Sequence, residues 1–271
     1  MYKLTNKKIP QTLQRALLVI LLVFGLFVLV LMPKIKTYFE LKEIKEKNIE
    51  TMEKVKEGPE KPSVQEDLAN LEEPQVKPEV TPAPIPASAY LSVPFICQAP
   101  LQTEENWIYH EESCEETAIL QAYLYLNGKT MTKEEADGEI LKMESWQIEH
   151  FGSHHDIYAD EVKNFIAGYY QIPSEDIDVV YDANIDDIKK YISSGYPVIV
   201  PIMGNILGNP YYPYPGYHML VAIGYTEDRI ITNDNGTRHG KDFSYDNQTF
   251  YDAMTAAGGD IIIINTKTTT F

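Results

Sequence analysis

The sequence predicts an α+β domain from Tyr90 to the C-terminus, with helices packed on an antiparallel sheet, behind a membrane anchor and a spacer. Three observations carry that expectation. Apolar residues recur at helical spacing through the first part of this region, and apolar, β-branched runs dominate the second. Ahead of both, Ala16–Met32 runs for 17 residues without a charged or polar side chain.

Taken in order, Ala16–Met32 would span about 26 Å as a helix at ~1.5 Å per residue, the short end of what a bilayer core needs. Lys3, Lys7, Lys8 and Arg15 precede it with no acidic residue. Positive charge stays inside, so residues 1–15 are expected in the cytoplasm and the rest outside, in a single-pass arrangement at the cell membrane. A cleaved signal peptide fits less well, because the run is long for one and no Ala-x-Ala site follows closely. Residues 33–58 are rich in charge and read as a solvated juxtamembrane helix. Residues 59–89 hold seven prolines (59, 62, 74, 78, 82, 84 and 86) and read as an extended spacer.

Within residues 90–271, Ser113 and Glu116 predict a capping box for a helix from Cys114, stopped at Gly128. Ile119, Ala122, Tyr123 and Leu126 give that helix one buried face. Thr132 and Glu135 repeat the box for a helix to about Met143, and a third helix is expected over Tyr158–Tyr170. A fourth runs over Ile185–Ser193, capped by Asn184 and stopped by Gly195. Strands are expected at Pro197–Met203, Tyr217–Tyr225, Arg229–Asn233 and Asp260–Asn265, the middle two as a hairpin over a Thr-Glu-Asp turn.

The chain carries 40 acidic and 23 basic residues, a net charge of −17. Residues 90–271 hold 28 of the acidic and 10 of the basic ones. That balance argues against nucleic acid as a main partner, since phosphate backbones need surface cations. Two cysteines exclude a disulfide-dense scaffold and a four-thiolate zinc site.

Cys114 falls at the first residue of its helix, where free N–H groups and the helix dipole favour a thiolate. Glu115 and Glu116 oppose it, so a nearby cation is needed. A cysteine without a role, or a Cys97–Cys114 disulfide, stays open on the residues alone. His218 begins the most strand-like run of the chain and could equally be a core histidine. If the hairpin forms, Asp234 at the end of the next strand comes beside it and can fix its tautomer, although Asn-Asp-Asn-Gly is also ordinary turn sequence. His150, His154, His155 and Asp156 offer a weaker metal arrangement that Gly152 interrupts, and a solvated loop is expected there instead; no metal or cofactor is expected. Tyr211, Tyr212, Tyr214 and Tyr217, stiffened by prolines, form an aromatic wall ahead of His218, a substrate-binding candidate together with Trp107. For Trp107 and Trp146 the residues leave core and cleft both open.

These segments carry a resemblance. VPFICQAP, the Asn-Trp pair, SCEETA, GYHMLVAIGY and ITNDNGTRHGK, in that order from about Leu91, resemble the papain-fold cysteine peptidases of the bacteriocin-leader-processing type, family thirty-nine, in their stand-alone form. The resemblance implies a papain-like fold, Cys114 as nucleophile, His218 as its base, Asp234 orienting His218, and the Gln98 amide as an oxyanion donor. It implies a thiol peptidase or amidase acting on a peptide or protein substrate. A cysteine acyltransferase with the same residues, or a silent module binding peptide or cell-wall glycan, is the alternative. Asn235 stands where the family usually has proline, which bears on loop rigidity, and Thr117 where a small residue is common.

Overall fold

The computed structural model describes residues 11–57, 84–212 and 216–265, with the side chains of 11–27 and 30 excepted. It divides into two compact units, residues 1–47 and 48–271. In the first, helix α1 (Gln11–Glu57) starts and runs unbroken through Pro33, its exposed face laced by Lys–Glu pairs four residues apart, such as Lys36–Glu40 and Lys47–Glu43. Among the described residues, no helix is long and apolar enough to cross a membrane. Most of Ala16–Met32, the expected anchor, lies outside the residues whose side chains are described, as do residues 59–83 of the expected spacer.

The second unit holds the last turns of α1 and the whole α+β domain. After β1 (Ala89–Tyr90) come α2 (Glu104–Tyr109), α3 (Cys114–Leu126), α4 (Lys133–Phe151) and α5 (Ala159–Tyr170). β2 (Ile177–Val180), α6 (Ile185–Ser193), β3 (Val198–Met203) and the short α7 (Gly204–Leu207) follow. The chain ends with β4 (Tyr217–Tyr225), β5 (Arg229–Asn233), β6 (Phe243–Asp246), α8 (Asn247–Ala256) and β7 (Ile261–Ile264). The sheet is antiparallel in the order β2-β7-β3-β4-β5-β6, and β1 pairs with the far end of β4.

The expected helices and hairpin form, with ends that follow local chemistry. Thr132 and Glu135 make their capping box, and Asn184 accepts from the N–H groups of Asp186 and Asp187. α4 runs eight residues past Met143, to Phe151, and stops at Gly152 with φ +90°. Its extra turns are anchored by Trp146, half-buried, whose ring packs edge-on to Phe165 of α5 with centroids 4.8 Å apart, so Trp146 packs between helices rather than lining the cleft. The Ser113–Glu116 box does not form. Ser113 stands at the cap, but its Oγ donates to the Glu144 carboxylate, a stronger acceptor contact than a neutral cap bond, and Glu116 turns inward.

β4 is buried at all nine positions, so helices cover both faces of the central strand. α3 packs on β4 and β3, α8 on β3, and α6 on β4 and β1. A β-bulge at Ala222–Gly224 lets β1 join, and Gly224 is required there: a Cβ would sit 2.9 Å from the Ala89 carbonyl oxygen. Asn48, near the end of α1, accepts from Ser244 N–H and Oγ and so satisfies part of the β6 strand.

Candidate active site

The two elements that matter most lie side by side, α3 packed with its first turn on β4. Cys114 opens α3 and is 5% exposed; His218 is the second residue of β4 and is also 5% exposed. Both cysteines of the chain are free, which removes the Cys97–Cys114 bridge, and Cys97 is a buried thiol held up to about 11 by burial. One cavity of about 400 Å³ is lined by Gln98, Trp107, Cys114, Tyr212, Tyr217 and His218 among others.

The hairpin register pairs Val221 with Asn233, so Asp234 lies just beyond the paired end, diagonal to His218. His218 Nε2 lies 3.1 Å from Asp234 Oδ1. Asp234 is fully buried and accepts four further bonds: from Gly236 N–H at 3.2 Å, Asn209 Nδ2 at 3.0 Å, the Tyr212 hydroxyl at 2.9 Å, and the Tyr245 hydroxyl. Burial alone would raise its pKa, but the imidazole and the two hydroxyls outweigh it and hold the carboxyl below the usual range. An ionised carboxylate only accepts, so Nε2 carries the imidazole proton and Nδ1 is the basic nitrogen. Gly236 leaves room beside it: a Cβ there would lie 3.0 Å from His218 Cε1, so the imidazole would have to shift.

The thiol is held differently from what the helix dipole suggests. Cys114 Sγ donates to Glu115 Oε2 at 2.9 Å, and among the described residues no hydrogen bond joins it to His218. Burial, then the Glu115 charge and hydrogen bond, push the thiol well above its ordinary range, against the Met219 N–H. Glu115 is itself 1% exposed, and its Oε1 accepts from Ile157 N–H at 3.0 Å. Burial and the neighbouring Glu116 raise its carboxyl to about 8, while the thiol is pushed higher still, so the first proton of this pair to leave comes from the carboxyl rather than from sulfur. Glu115→Gln keeps an acceptor for Ile157 N–H and offers sulfur a donor in place of a competing acid. We expect alkylation of Cys114 at about pH 9, where the Glu115 carboxyl is ionised, to rise by about tenfold or more, since one close buried charge is worth more than the ~1.4 kcal/mol this requires. An unchanged pH profile would remove Glu115 from control of the thiol.

Gln98 is brought to the cavity, but its amide does not stand free as an oxyanion donor. Nε2 donates to the carbonyls of His110 at 2.9 Å and Glu111 at 3.0 Å, which uses both of its protons. In this arrangement Gln98 fastens the turn ahead of Cys114. That turn has a second anchor in His110, fully buried between Asp137 and Glu144, with Nε2 and Nδ1 each 2.9 Å from a carboxylate oxygen. Burial lowers the His110 pKa, and the two carboxylates more than reverse that.

Of the aromatic candidates, Trp107 and Tyr217 line the cavity, and the Tyr217 hydroxyl donates to the Ile157 carbonyl. Tyr212 lines it too, while its hydroxyl serves Asp234. Tyr211 turns away: its ring packs on His239 and Phe243, because the Tyr211 N–H is drawn back to Asn209 Oδ1. Tyr214 lies outside the described residues. The His150–Asp156 stretch makes no metal cluster among the described residues, and it is not simply solvated, since His154 turns inward to Glu116 at 3.5 Å.

Asn235 is a residue whose role the sequence does not announce. It is fully buried, its Nδ2 donates to the Cys114 carbonyl at 2.8 Å, and its own carbonyl accepts from Gln98 N–H at 2.9 Å. One residue thus ties the loop after β5 to Gln98 and Cys114. Its place next to Asp234, where the family pattern has proline, is the only signal.

The Peptidase_C39-like family matches residues 90–260 of the chain. No curated protein matches it. Among solved structures, a crystal structure from Bacillus anthracis, whose description places it with the C39-like peptidases, is similar at 17% identity with a TM-score of 0.48. That similarity covers 65% of this chain and 96% of the other.

Proposed function

The chain belongs to the Peptidase_C39-like family, and from that premise we propose that it is a thiol peptidase or amidase, anchored at the cell membrane with residues 90–271 outside. The observation that carries the reading is the meeting of Cys114 and the His218–Asp234 pair on one cavity. In the proposed reaction Nδ1 of His218 takes the Cys114 proton, and sulfur attacks a substrate carbonyl. The carbon–nitrogen bond breaks as the imidazolium returns that proton to the leaving amine, leaving an acyl-thioester. Water, deprotonated by His218, then attacks the thioester; the acid is released and the thiol restored. Asp234 holds the tautomer that this requires. Before attack, the sulfur must exchange Glu115 for the imidazole. The Ala16–Met32 run and the cationic residues before it support the anchoring.

A second reading is supported by the hydrogen bond of Cys114 to Glu115 and by the committed amide of Gln98: a silent module that binds peptide or glycan without cleaving it. One experiment separates them. The full chain, in membranes washed with alkaline carbonate, is given a mixed peptide library, and products are read by mass spectrometry. The peptidase reading expects cleavage retained in the membrane fraction, a thioester adduct on Cys114, and loss of both in Cys114→Ala. A library left intact by the wild-type chain would favour the silent module.

A further inference from the structure

The cavity that holds Cys114 and His218 has an unusual charge. Glu104, Glu111, Glu112 and Asp156 line it, and neither lysine nor arginine does. None of these four carboxylates makes an ion pair among the described residues, although other acidic groups of the same chain, such as Glu139, do. Glu112 and Asp156 are half-buried and face each other across the wall. Burial, Asp156 and Glu111 together push the Glu112 carboxyl up, and His154 relieves it in part. Like charges crowded at a half-desolvated wall favour a cationic group beside them.

Independent features show that the cavity is open to a ligand. His218, nineteen-twentieths buried at 5% exposure, has its Nε2 on Asp234, while its Nδ1 makes no hydrogen bond among the described residues. Trp107, half-buried, lines the same space, and an indole face is the best aromatic partner for an ammonium or guanidinium group. The wall is therefore composed of carboxylates and aromatic rings around Cys114 and the open Nδ1 of His218.

We propose that this cavity selects a peptide-like substrate carrying a cationic group close to the scissile carbonyl, seated against Glu112, Asp156 and Trp107. The proposal rests on the peptidase reading and names the substrate class of that site. Two sources present the same chemistry, a lysine or arginine side chain and a free terminal amine, and the test distinguishes them.

Matched peptides differ at one position next to the cleaved bond, carrying lysine, arginine, norleucine, citrulline or glutamate, each with a free or an acetylated N-terminus. With the wild-type full chain, kcat/KM is expected to be at least tenfold higher for the cationic members than for their neutral isosteres, and to fall with added salt. In Glu112→Gln/Asp156→Asn the ratio of cationic to neutral substrate is expected to collapse toward one; a ratio is insensitive to partial loss of folded protein. A loss of turnover on acetylation at fixed side chain assigns the cation to the terminal amine, and a preference for lysine and arginine over norleucine and citrulline within the acetylated series assigns it to the side chain. Equal turnover of neutral and cationic peptides by the wild type overturns the proposal.

Binding of the same peptides to full-chain Cys114→Ala, measured by calorimetry, separates this proposal from the reading beneath it. Charge-selective binding without turnover by the wild type keeps the cationic subsite and overturns the peptidase. Charge-blind binding, or none, overturns the subsite whatever the turnover.

Discussion

Asp234→Asn is expected to lower turnover by about three to four orders of magnitude, the scale seen when the carboxylate of a nucleophile–histidine–aspartate set becomes an amide. The reason is a count of donors and acceptors. Asp234 receives five donors: His218 and Gly236 on Oδ1, and Asn209, Tyr212 and Tyr245 on Oδ2. An amide offers one oxygen and brings two protons of its own. With its NH2 toward His218, Nε2 must become the acceptor, the proton moves to Nδ1, and the nitrogen that should take the thiol proton is filled. With its NH2 on the other side, it faces Asn209 Nδ2, which cannot accept, and two hydroxyls that must both turn. Each orientation leaves a buried conflict worth roughly 1–3 kcal/mol, so stability should fall as well. Measuring kcat/KM beside the urea midpoint separates the two effects. Turnover within about tenfold of wild type, in folded protein, would mean that His218 does not depend on Asp234 for its tautomer.

Much of this arrangement is legible in the amino-acid string, for reasons that differ by element. β4 and β3 are apolar at nearly every position because helices cover both faces of the central sheet, so their runs stand out. β6, the four residues Phe-Ser-Tyr-Asp, carries no such mark; it is an outer strand defined by its pairing with β5. α8 begins in Asn-Gln-Thr, residues of weak helix propensity, and is a helix because Asp246 caps it and Phe250, Ala253 and Met254 find the core. In the site, Cys114, His218 and Asp234 are legible because each sits at the start or end of a strong element. The inward turn of Glu115 is not. It depends on the Ile157 N–H, 42 residues away, presenting itself to the carboxylate. The same holds for Gln98: its residue type suits an oxyanion donor, but which carbonyls draw its protons is decided by the His110 turn, packed against Asp137 and Glu144. Tyr212 marks the boundary between the two cases. An aromatic loop ahead of the histidine is visible as a pattern, whereas the service of one hydroxyl to Asp234 is a matter of angle and reach.

Gly240→Ala is expected to cost more stability than glycine-to-alanine changes elsewhere in the domain such as Gly224→Ala, and to silence the site with it. A Cβ at this position would lie 1.7 Å from the Asp234 carbonyl oxygen and 2.7 Å from its carbon. The neighbour is main chain, which cannot swing aside as a side chain would. Gly240 does not have a positive φ, so the effect is contact rather than backbone strain. Its carbonyl also accepts the Asp234 N–H at 2.9 Å, and its N–H donates to the Thr237 carbonyl, so the loop closes tightly around this residue. Relief requires the loop to open and Asp234 to leave its five donors. Overpacking usually costs about 1–3 kcal/mol, and a rigid obstacle places this case at or above the top of that range. Gly138 supplies the contrast: it lies inside α4 with nothing within 4 Å of its Cβ position, so Gly138→Ala should stabilise by about 0.5–1 kcal/mol. Urea denaturation of the two variants tests the stability half. The functional half is read from kcat/KM at a temperature where Gly240→Ala is still folded, where a loss comparable to that of Asp234→Asn is expected. Should Gly240→Ala match wild type in both, the loop from Asp234 to Gly240 would have to yield without moving the carboxylate, and the tie between this loop and the imidazole would be refuted.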